Sequence, residues 1–97
     1  MDIKYYNAIE KRRTCMACPS QWEGKLDDGR MFYMRYRHSH FTFEVSHKPT
    51  DDVYDAIDGE LVVDITTDED DGGWMGDGEA TQILKENGVI LVDSKQR

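Results

Sequence analysis

Two groups of side chains in this 97-residue chain have types and spacings that could do chemistry. The first is the CxxC pair Cys15 and Cys18, with His38 and His40 further along. Two thiolates and two imidazoles are borderline-soft donors, and such a set suits tetrahedral zinc. Zinc ribbons and fingers add a second pair of regular spacing, which His38-Ser39-His40 on a turn does not supply. The thioredoxin-like alternative needs a strand before the motif, and here a helix is expected. The ordinary reading makes both cysteines small apolar fillers and both histidines solvated turn residues. The expectation is therefore no cofactor, with zinc at these four residues as the alternative.

The second group is acidic. Asp68, Asp70, Gly73 and Glu79 fall at the first, third, sixth and twelfth positions of an EF-hand-like loop. Position five is Gly72, position eight is Met75, and the preceding residues read as a strand, so a calcium loop lacks its flanking helix. No GxSxG, no phosphate-cradling glycine loop and no HExxH occurs. No nucleophile, base and orienting group can be assembled from local spacing. The chain reads as non-enzymatic.

Charge is what remains, and it is distributed unevenly. The formal net charge is -8. Residues 1–50 carry nine Lys/Arg against six Asp/Glu, a balance of +3, whereas residues 51–97 carry three against fourteen, a balance of -11. Twelve carboxylates lie between Asp51 and Glu79 with no basic residue among them. Side by side on one flank, Asp51, Asp52, Asp55, Asp58, Asp68, Glu69, Asp70, Asp71 and Asp77 would form a continuous negative surface, with Trp74 and Met75 as its apolar anchor. Such a surface can occupy a groove that normally receives a nucleic-acid backbone. The expected partner is thus a basic, nucleic-acid-binding protein rather than nucleic acid itself, because phosphate contacts need clustered Lys/Arg. The plainer possibility is a solvated face that maintains solubility. Met31–Arg37 has the composition of a single-strand platform. Its Arg35 and Arg37 are expected instead to pair with Glu23, Glu44 or other carboxylates of the chain.

The elements that must position these groups follow from periodicity. Phe32, Met34 and Tyr36 alternate with Tyr33, Arg35 and Arg37, and Phe41, Phe43 and Val45 repeat the pattern. This predicts an antiparallel meander over Gln21–Leu26, Met31–Arg37 and Phe41–Ser46, with Asp28-Gly29 in a tight turn. Asp2–Arg13 is expected as a helix on a Tyr5/Ile9 stripe. A short helix capped by Thr50, a strand over Glu60–Thr67, a helix from Gly78 to Asn87 capped by Asp77, and a strand over Val89–Val92 complete the order α-β-β-β-α-β-α-β. The fold class is α+β: one domain, a sheet of four to five antiparallel strands, and short helices mainly on one face. No apolar run approaches a membrane span and no signal peptide is apparent, so the cytosol is the expected location. Oligomeric state has no sequence signal.

The segments Ala17–Gly24 (ACPSQWEG), Asp28-Gly29-Arg30 and Tyr33–Arg37 (YMRYR) resemble a set of small uncharacterised phage and bacterial proteins with a CPSQWEG…DGR…YxRYR core. The resemblance stops before the acidic half and transfers no activity. It implies that Trp22 and Tyr36 belong to the core of the meander. It also implies a mobile-element setting, in which short acidic proteins that block host nucleic-acid machinery, anti-CRISPR inhibitors among them, recur. The reading is a protein-binding inhibitor with a DNA-mimic-like acidic surface; the runner-up is a small zinc module.

Overall fold

In a computed structural model, residues 3–15, 20–37, 39–67 and 75–93 are described, without the side chains of Cys15 and Asp93. Strands β2 (Ser20–Leu26), β3 (Met31–Arg37) and β4 (His40–Val45) form the meander. Their alternate residues Trp22, Leu26, Phe32, Met34, Tyr36, Phe41, Phe43 and Val45 are buried on one face. Each large side chain so buried is worth about 1.5–3 kcal/mol relative to exposure. The β2–β3 turn uses Gly29 at φ +91, a conformation that Cβ-bearing residues avoid. Asp28 braces it by accepting from the Arg30 backbone N–H at 3.0 Å and from Arg30 Nε at 2.7 Å.

The first element departs from expectation. Lys4–Cys15 is a strand, β1, not a helix. It pairs antiparallel with β2 and parallel with the last strand, β6 (Val89–Asp93). Its true period is two: Tyr6 and Ala8 are buried, whereas Tyr5 is 73% exposed and Ile9 39% exposed. The Tyr5/Ile9 stripe therefore faces water. With two strands offering backbone partners, ladder hydrogen bonds and the burial of Tyr6 override helix propensity in EKRR. Register shifts between Ala8 and Glu10 and between Arg13 and Cys15 bend the strand.

The sheet thus has six strands in the order β5-β4-β3-β2-β1-β6 and is mixed. It curls into half a barrel. This corrects the α+β class of four to five antiparallel strands: the molecule is sheet-dominated, with two described helices. The curl is visible across its inner face, where the Tyr6 and Phe43 rings meet edge-on at 5.5 Å and Lys4 Nζ donates to Glu60 at 3.3 Å.

The helices take opposite faces. Helix α2 (Asp77–Glu86) puts Ala80 and Leu84 into the inner core with Tyr6, Trp22 and Phe43. Helix α1 (Val53–Ile57) lies outside, its Ile57 beside Tyr33 and Glu44 and its Val53 beside Met31. Its cap is Asp52 rather than Thr50, the carboxylate accepting from Tyr54 N–H at 2.9 Å. Strand β5 (Glu60–Thr66) follows at the sheet edge.

Candidate functional site

The carboxylates of the 51–79 belt do not form one surface among the described residues. Those on α1, with Asp64 of β5, belong to the outer face and its edge, while Glu60 at the start of β5 bonds Lys4 across the inner face and Asp77 begins α2 on the inner side. Asp68, Glu69, Asp70, Asp71 and Trp74 lie outside the described residues, and Met75 is no surface anchor, being 3% exposed and packed in the core. Several of the others have structural work. Asp51 bonds Lys25, and that contact holds its carboxyl below the usual range. Asp52 caps α1, and Asp55 accepts from the Thr50 hydroxyl at 2.6 Å.

Asp77 is neither a cap nor a free acid. Its Oδ1 accepts from Trp22 Nε1 at 2.5 Å and from Arg13 Nη1 at 3.2 Å, and the cap position belongs to Gly76. Arg13 stacks over the Trp22 ring, 4.7 Å from its centroid. Its Nη2 also donates to the Met75 carbonyl at 2.5 Å and to Ser20 Oγ at 3.0 Å. Ser20 Oγ in turn accepts from Met75 N–H at 2.9 Å. This clasp ties the start of α2 to β1 and β2. Sequence reading missed Arg13 and Ser20 because it placed them in a helix and at a strand's rim.

Of the four residues of the zinc alternative, Cys18 and His38 lie outside the described residues, as does the Cys15 side chain. His40 Nε2 contacts Asp64 Oδ1. Among the described residues no three His, Cys, Asp or Glu side chains are grouped to hold a metal, and no helix is long and apolar enough to cross a membrane.

The outer face of the sheet carries an open groove of ≈530 Å³. Tyr33, Arg35, Thr42, Glu44 and Ile57 line it, with Arg37 and His40 at one end. Strand register explains the grouping: Tyr33 pairs with Glu44, Arg35 with Thr42 and Arg37 with His40. Among the described residues neither Arg35 nor Arg37 makes an ion pair, and the expected partners Glu23 and Glu44 are not engaged by them. Glu23 is taken by Arg12 at 2.6 Å, and the Arg35 Nε is buried with no acceptor. Glu44 has a different environment. Burial first, then the like charges of Asp58 and Asp64, push its carboxyl above its ordinary value. Beside this acidic end stand three exposed apolar side chains: Tyr54 at 69%, Leu61 at 50% and Ile57 at 37%.

The groove therefore has a cationic end and a carboxyl end, and the acidic end merges with an apolar flank. Among the described residues that line it, none is a polarised nucleophile. No protein-family model, curated protein or solved structure matches this chain.

Proposed function

We propose that this chain is a non-enzymatic protein-binding module that presents the acidic flank of α1 and β5 to a basic partner. The observation that carries the reading is the set Glu44, Asp58 and Asp64 crowded beside exposed Tyr54, Ile57 and Leu61. Like charges held together destabilise the folded chain, and a cation from outside relieves them. Aromatic and aliphatic side chains inside a polar rim are the usual anchors of an interface. A protein that ordinarily grips a nucleic-acid backbone suits such a flank, which fits an inhibitor of host nucleic-acid machinery. The mimic then uses the α1–β5 carboxylates and not those of α2.

The test is capture on the immobilised chain at low salt and at ~0.5 M NaCl, where screening reduces contacts between exposed charges. One basic protein should be retained at low salt, released by salt and displaced by duplex DNA. The pair Asp55→Lys and Asp58→Lys, and separately Tyr54→Ala with Leu61→Ala, should each abolish retention while the melting transition persists. Retention indifferent to salt and to both variants defeats the reading.

A further inference from the structure

We propose that the outer-face groove binds a basic residue bearing a free α-carboxylate, the carboxylate at Arg35 and Arg37 and the cationic side chain at Glu44. The inference deepens the protein-binding reading and rests on it for the carboxyl end; the arginine end is argued independently.

Arg35 and Arg37 make no ion pair among the described residues. A half-buried guanidinium whose Nε has no acceptor is an unfavourable arrangement for the free protein. The acids nearby do not remedy it. Glu44, the carboxylate that lines the groove, makes no ion pair with either arginine among the described residues, and Asp64 is engaged by His40. Two guanidiniums on one face of a strand, with the Thr42 hydroxyl opposite Arg35, offer the fork geometry that carboxylates accept.

At the other end the need is reversed. Glu44 lines the groove half-buried, and burial and then the like charges of Asp58 and Asp64 raise its carboxyl. It pairs opposite Tyr33, one same-face step along β3 from Arg35, and such a step is about 7 Å. The step separates backbone positions, and the long, flexible Arg35 and Glu44 side chains adjust the gap between their charged groups to the span from the α-carboxylate to the side-chain cation of a lysyl or arginyl residue. Ile57 and Tyr33 flank the methylene stem between the two ends. A nucleic-acid strand satisfies the arginines but meets Glu44, Asp58 and Asp64 with phosphates. A zwitterionic basic residue satisfies both ends. It has two sources, the C-terminus of a protein or the free amino acid.

Titration calorimetry with the full chain distinguishes them, using Gly-Gly-Lys as free acid, Gly-Gly-Lys amide, Gly-Gly-norleucine as free acid, and free lysine. The free-acid lysine peptide should bind tightest, and amidation should weaken it about tenfold. Arg37→Gln, an exposed position that leaves the core alone, should weaken the free acid to the level of the amide and leave the amide unchanged. Arg35→Gln should do the same. Binding of free lysine as tight as that of the peptide assigns the groove to the amino acid, and weaker binding assigns it to a chain end. Equal binding of acid and amide overturns the inference while the acidic-face reading stands. Equal binding of the lysine and norleucine peptides overturns both. Absence of binding by every peptide overturns the inference, and the capture experiment then decides the acidic face alone.

Discussion

Trp22 is 1% exposed, and its indole N–H donates to Asp77 Oδ1. Removing that acceptor strands a buried donor and also takes away one of the partners of Arg13. Asp77→Ala is expected to lower stability by about 1–3 kcal/mol in urea unfolding, whereas Asp77→Asn, which keeps an oxygen toward the indole, should cost clearly less. Equal losses would mean that the charge, not the indole contact, matters. Glu44 gives the opposite sign. Its carboxyl is raised above its ordinary 4.5 by burial and then by Asp58 and Asp64, so the folded chain holds that proton more tightly than the unfolded one. Stability from this group is complete below the unfolded value and is lost as pH rises through the folded value. Glu44→Gln removes that loss. The variant should melt higher than the parent at pH 7, with a margin that vanishes below about pH 4. A margin independent of pH would contradict the raised value. Asp28 behaves the other way. Burial pushes it up, but the Arg30 amide and guanidinium outweigh burial and hold it low, so its contribution is lost as pH falls.

At the scale of elements, β1 is where sequence and structure part. In the meander, apolar residues alternate without interruption, and a period of two has one geometric meaning. In Tyr5-Tyr6-Asn7-Ala8-Ile9 the apolar positions satisfy a helical stripe and a strand face equally well, and the charged residues that follow favour a helix locally. What decides is long-range: a parallel partner some eighty residues away, invisible to any local pattern. The candidate site was legible to the same degree. Acid-rich segments could be read directly, but whether Asp77 and Asp58 share a face depends on α1 and α2 packing on opposite sides of the sheet. The pairing of Arg35 with Glu23 failed for a similar reason, since the bulged β1 brings Arg12 to Glu23 first. The strand assignment is testable by substitution. Tyr6→Ala should cost about 3–5 kcal/mol, as for other buried aromatics, and Tyr5→Ala should stay within about 0.5 kcal/mol. A helix built on Tyr5 and Ile9 would reverse that order. Gly24→Ala should also destabilise, by about 1–3 kcal/mol, because a Cβ there would stand 2.0 Å from the Glu10 carbonyl oxygen and 2.7 Å from the Phe32 ring.

Over the whole molecule, folding undoes much of the charge separation written along the chain. Lys4–Glu60, Lys25–Asp51, Arg13–Asp77 and His40–Asp64 each join a group from the basic half to one from the acidic half. Such exposed pairs are individually worth at most about 1 kcal/mol, but they decide where uncompensated charge is left. On the outer face, among the described residues, Arg35 and Arg37 are left without an ion pair, and so are Asp52, Asp55, Glu44 and Asp58, the last at the C-terminal cap of α1, where the helix end is itself negative. On the inner side Glu79 sits in the first turn of α2, where the helix end is positive. The two acids therefore have opposite consequences for stability. Asp58→Asn removes repulsion from Glu44 and from the helix terminus, and should raise the melting temperature. Glu79→Gln removes a favourable dipole contact of about 0.3–1 kcal/mol and should lower it. Both effects should shrink in ~0.5 M NaCl as screening sets in. If both neutralisations stabilise equally, the acids act as one diffuse cloud and the division of the surface fails. If only Asp58→Asn stabilises, the chain holds a carboxylate at a place where its own fold disfavours it, next to Tyr54, Ile57 and Leu61. A binding role for that flank accounts for the arrangement, and solubility alone does not, since an acid at a helix N-terminus serves solubility with no such penalty.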